Sequence, residues 1–146
     1  MEGDRVPSPE EPVEERLLFL QENMVSFVNQ FSMPVIEVSL VLSKYIRIIL
    51  DSLLEAADKE GESLPRNIVE AWPIESNPDA PAIDSYPLDK LLGNIDEDRM
   101  DILDTLIRSI LNQSRLPFVS VLTLLRQWES LARVQLAQAG SPGTSL

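Results

Sequence analysis

The chain contains no histidine and no cysteine. Disulfides, thiolate nucleophiles, imidazole bases and nearly all zinc or transition-metal sites fall away together. Carboxylates, hydroxyls, lysine and tyrosine remain, but no acid–base pair stands out beyond an acid cluster at 96–104, which a helix start explains. A long uninterrupted apolar run is also missing. The most apolar stretch, residues 34–57, is interrupted by Lys44, Arg47, Asp51 and Glu55, whereas a membrane-spanning helix needs about 20 apolar residues with few charges. The third absence is positive charge. Twelve Lys and Arg stand against 24 Asp and Glu, a net charge of −12, and nonspecific nucleic-acid binding draws its affinity from neutralising phosphates. The expectation is a chain with no catalytic residue, no cofactor and no metal site, and with neither nucleic acid nor membrane as partner.

What is present suits a folded helical domain. Apolar residues make up 44% of the 146, and the mean hydropathy of −0.03 fits one domain with a core rather than a wholly disordered chain. The charge is unevenly spread. Residues 58–104 carry thirteen acids against four bases, while from 105 onward Glu129 is the sole acid against Arg108, Arg115, Arg126 and Arg133. Such a locally basic end suits a protein partner with an acidic patch, or the chain's own acidic middle. Residues 1–16 are acidic and proline-bearing, the opposite of a secretory leader, so cytoplasm or nucleus is the expected compartment.

Periodicity places the elements. Residues 1–12 have no apolar period and are expected to be a disordered acidic tail. A single helical domain is expected over 13–138, followed by a tail at 139–146. Leu17, Leu20, Met24, Phe27, Val28 and Phe31 recur at three- and four-residue steps and predict a helix over 13–31, with Glu14 and Glu15 where the helix dipole favours acids. Its polar side lacks the Lys and Arg of membrane-surface helices. Pro34 starts a central helix whose only polar stripe is Lys44, Arg47, Asp51 and Glu55, so other helices are expected to wrap it, and the first helix to pair with it. Residues 58–87 read as a long acidic, proline-rich connection with one short helix near 65–72 and Trp72 as a core or partner anchor. An apolar turn at 88–92 precedes Asp96, Glu97, Asp98 and Asp101. These acids lack the offsets of a calcium loop, and Asp96 fits an N-cap for a helix over about 97–112. Pro117 opens the last helix, 118–138. Val121, Leu122, Leu125, Trp128, Ala132 and Leu136 form its apolar stripe, widened by Leu124 and Leu131, with Arg126, Glu129 and Arg133 on the other side. The fold class is therefore all-α, a small bundle of about four main helices. Ser8 and Ser141 each precede proline, the minimal form of a proline-directed phosphorylation site.

The last two helices carry a resemblance. In LIRSILNQSRLPFVSVLTLLRQWESLARV, Leu106, Ile107, Ile110, Leu111 and Ser114, then Leu122, Leu125, Trp128, Glu129 and Leu131, follow the helix–link–helix form that opens a cyclin box. The stretch resembles fungal cyclins of the phosphate-pathway and G1 type, with Ser130 where many have a basic residue and Trp128 where Tyr is usual. The resemblance spans the first two of the family's five box helices, so it assigns no residue of the kinase-contacting surface, which lies on the third and fifth. It implies a non-catalytic regulatory protein that binds a cyclin-dependent protein kinase or another helical partner through residues 118–138. The candidate partner-binding residues are Arg126, Glu129, Arg133, Trp128 and Arg115. The alternative is a structural or adaptor subunit of a helical complex, or a homodimer, with no kinase link.

Overall fold

The computed structural model describes residues 5–73 and 95–139. They form α1 (Val13–Gln30), α2 (Val35–Lys59), the four-residue α3 (Arg66–Val69), α4 (Glu97–Ser114) and α5 (Phe118–Ala139), with no strand among the described residues. The chain is the small all-α bundle that the apolar periods predict. The turn expected at 88–92 and Ser141 lie outside the described residues. Among those described, no helix is long and apolar enough to cross a membrane.

Proline sets most of the starts. Pro12, Pro34 and Pro65 stand at the N-caps of α1, α2 and α3 in extended backbone. There the missing N–H is no loss, and each carbonyl accepts the first helical bond, from Arg16, Val38 and Val69. Pro117 does the same for Val121 in α5. At α4 the cap is a side chain, as the sequence predicts: Asp96 accepts from the amides of Asp98 at 3.0 Å and Arg99 at 3.2 Å.

Two helices end in the same motif. At α2 the Glu62 amide returns to the Ala57 carbonyl and the Gly61 amide to Asp58, with Gly61 at φ +68. At α1 the Met33 amide reaches Val28 and the Ser32 amide Asn29, with Ser32 at φ 47 and Met33 buried. Both are the reversed double bond of a Schellman ending, which needs a left-handed residue. Gly61 supplies it freely; Ser32 does not. Residues 5–12 are attached as well: Val6 packs against the core and the Glu11 amide bonds to the Ser8 carbonyl.

The packing departs from the expected α1–α2 pair. Each of these helices packs instead on both α4 and α5, and the α2–α5 contact is the most extensive. Both have apolar faces broad enough to cover two neighbours at once. Glu37 meets Asp96 and Arg99, and two turns later Tyr45 meets Asp104, so α2 and α4 run in the same direction. Arg16, near the start of α1, meets the end of α4, so these two run in opposite directions. Leu20 and Met24 of α1, Leu42 of α2, Leu103, Ile107 and Ile110 of α4, and Val121, Leu122 and Leu125 of α5 make the sealed centre.

The central helix is not wrapped on every side. Leu40, Ile48 and Leu54 are 38%, 51% and 40% exposed, alongside the expected polar stripe. The bundle gives α2 two long neighbours, α4 and α5, and they leave this side open.

Candidate functional site

The residues singled out on α5 are brought together with a segment from the middle of the chain. Arg126 is 4% exposed. Its Nε donates to the Ile68 carbonyl at 3.1 Å, Nη2 to the Val69 carbonyl at 2.8 Å, and Nη1 to Glu129 Oε1 at 2.8 Å. Two turns further on, Arg133 Nη1 donates to the Trp72 carbonyl at 2.6 Å. These carbonyls belong to a helix too short to satisfy them and to the chain just past it. Ile68 anchors the same segment from below, buried against the core. The sequence places Arg126 and Arg133 on the side of α5 opposite its apolar stripe, facing an acidic partner or the chain's own acidic middle; in the structure they hold residues 68–72, part of that middle, by its backbone carbonyls. Burial of the Arg126 guanidinium is tolerable because each side of it finds a partner.

Beside this clamp lies a surface of mixed character with large apolar side chains. Gln21 of α1, Trp72, and Gln127, Trp128, Ser130 and Leu131 of α5 line a shallow groove of about 330 Å³. The Trp72 indole N–H donates to the Asn67 carbonyl at 2.8 Å, which fixes the ring. Trp128 is half-buried and packs against the core, whereas Leu131, expected to widen the core stripe, is 62% exposed. The period of a helix reports phase, not how closely a neighbour packs, and at Leu131 the facing surface of α1 and Trp72 leaves an open groove. Arg115 does not join the site. It sits in left-handed backbone, φ 49, in the α4–α5 link, and α5 carries the chain about 22 Å from Phe118 to Arg133 at 1.5 Å per residue.

Sequence reasoning missed the buried polar network between α2 and α4. Glu37 has no exposed surface. Arg99 grips it with two bonds, Nε to Oε1 at 2.9 Å and Nη2 to Oε2 at 2.7 Å, and the Asp96 amide donates to Oε2 at 3.0 Å. Burial pushes the Glu37 carboxyl up, but the bonds from Arg99 and Asp96 and the Arg99 charge bring it below the ordinary carboxylate value. Two turns along, Asp104 accepts from Lys44 and from the Tyr45 hydroxyl, which also donates to the Asp104 carbonyl at 2.9 Å. Burial likewise pushes Asp104 up, and the Lys44 and Tyr45 bonds turn the balance so that it lies low. Burial and the bond to Asp104 raise the Tyr45 hydroxyl to about 12. A third buried contact runs from Arg16 Nη1 to the carbonyls of Ser114 at 2.9 Å and Arg115 at 3.3 Å, the open end of α4. A signal existed for Glu37, because it falls in the same phase as Val41 and Tyr45 on the core side of α2. Arg16 sits in the phase of Leu20 in the same way.

The carboxylates of these networks are matched by cationic or backbone donors, the arrangement of a structural pairing, whereas Arg16 leaves its buried Nε without a partner. The acids at 96–101 serve the start of α4, and among the described residues no three acidic side chains are placed to hold a metal ion. One feature that faces solvent is the groove lined by the two tryptophans and Leu131. Comparison of the chain with protein-family models, with curated proteins and with solved structures finds no match.

Proposed function

We propose that the chain is a non-catalytic regulatory module that binds a helical protein partner over the α1–α5 groove, with a cyclin-dependent protein kinase as the partner class. The observation that carries the binding reading is Leu131, 62% exposed beside Trp72 and Trp128. A large exposed aliphatic beside two aromatics is the composition of an interface anchor. The kinase class is supported by the resemblance of the 106–131 stretch to a cyclin-box opening, whose helix–link–helix form coincides with α4, the Arg115–Pro117 link and α5. Cytoplasm or nucleus is the compartment proposed with it.

A second reading, an adaptor subunit without a kinase link, is favoured by one specific observation. The arginines that a kinase-binding α5 would offer are occupied by residues 68–72.

The test is co-purification of the tagged chain with cyclin-dependent kinases, repeated with Leu131→Glu. Near-equimolar kinase with the parent and its loss with the variant, at unchanged melting temperature, is the expected result. Equal recovery by both removes the groove from the function. Recovery of a different helical protein in place of a kinase selects the adaptor reading.

A further inference from the structure

The outward face of α2 takes part in none of the contacts described above. Leu40, Arg47, Asp51 and Leu54 follow one another at steps of seven, four and three, which align on one side of a helix, with Ile48 and Glu55 at its edge. All six are exposed. Its charges are ordered, basic before acidic. Among the ion pairs of the described residues, Arg47 and Asp51 appear in none, and Glu55 meets only Lys59 at 3.4 Å with both side chains 72% exposed. An exposed i,i+4 pair of that kind holds its members loosely.

We propose that this face binds the same face of a second copy, with the two α2 helices antiparallel about a two-fold axis near residue 49. A two-fold contact is self-complementary: if one position meets another, the reverse contact follows. With the axis there, Arg47 meets the partner's Asp51 and Asp51 meets the partner's Arg47. Ile48 then flanks the axis beside its own symmetry mate, and Leu54 lies over the aliphatic stem of the partner's Lys44. The charge order selects the arrangement. Parallel pairing sets Arg47 against Arg47 and Asp51 against Asp51, and moving the axis to residue 47 does the same for the arginine. A uniformly acidic or basic partner would match half of the pattern and oppose the other half. One helix face of about 22 Å, from Leu40 to Glu55 at 1.5 Å per residue, makes a small interface. Each copy also carries a charge of −12, so general repulsion opposes association. The association expected of so small an interface is weak, with a dissociation constant on the order of micromolar or above. The proposal is independent of the α1–α5 groove, which lies on other helices.

Sedimentation equilibrium of the full chain from about 5 to about 500 µM, a span centred on micromolar affinity, is expected to show a monomer–dimer equilibrium. Arg47→Asp and Asp51→Arg are each expected to weaken it about tenfold or more, since each turns two symmetric attractions into repulsions. The double variant R47D/D51R restores the pairing with its signs exchanged and is expected to return close to the parent constant. These side chains are exposed, so circular dichroism and melting stay unchanged and serve as the folding control. A chain monomeric throughout the range overturns the proposal. A dimer indifferent to the single changes, or one that the double change does not restore, overturns it equally.

Discussion

Glu37 shows how a buried charge is made tolerable and at what pH it ceases to be so. Its oxygens are divided among the Arg99 guanidinium and the Asp96 amide, and its folded pKa lies below the ordinary value of 4.5. A carboxyl depressed on folding contributes stability at pH above its unfolded value, and that contribution is lost as the pH falls through the folded value. The urea midpoint is therefore expected to drop between about pH 6 and about pH 3. Glu37→Gln is expected to flatten part of that drop. Asp104, depressed in the same way, accounts for a further part. Glu37→Ala at neutral pH removes one partner of a buried pair and is expected to cost about 3 kcal/mol, the low end of such losses because Arg99 is partly exposed. Ser32 offers the opposite change. It holds φ 47 without a side-chain bond that explains it, so Ser32→Gly is expected to stabilise by about 0.5 kcal/mol, the relief of left-handed strain less the entropy of glycine. Urea titration checks both signs.

Among the elements, α3 is the one that depends most on others. Four residues cannot sustain a helix, and its position rests on Ile68 in the core and on Arg126 and Arg133 at its carbonyls. Arg126→Ala is expected to cost about 2 kcal/mol, since it leaves buried carbonyls without a donor. Amide exchange at 66–70 should quicken while far-ultraviolet dichroism barely changes. Unchanged exchange would mean that Arg126 does not hold this segment. At the end of α2, Gly61→Ala meets nothing within 4 Å, so its expected loss of about 1 kcal/mol comes from backbone alone. Helix starts were legible because Pro34, Pro65, Asp96 and Pro117 act on their own neighbours. Which face each helix turns to another was only half legible. Leu131 has the phase of a core residue, and its exposure depends on how closely other elements pack there. The clamp of Arg126 on Ile68 and Val69 joins positions 58 and 57 residues apart, and no local pattern announces it.

For the whole molecule, the sealed centre unites all four long helices, so a charge placed there should break the fold rather than one element. Leu125→Asp, at a side chain with no exposure, and Ile46→Asp, at 5%, are expected to abolish cooperative melting. A retained helical spectrum with a sharp transition in either variant would contradict this packing. The same topology bears on the order of synthesis. The first pair of helices does not close on itself; α1 and α2 wait for α4 and α5, and Arg16 waits for carbonyls 98 residues downstream. At about 5–20 residues per second, the ribosome needs roughly 4–16 s to pass from the end of α2 to the end of α5. For that interval Leu20, Met24 and Leu42 have nothing to cover them, and the nascent chain is a substrate for chaperones that hold apolar helices.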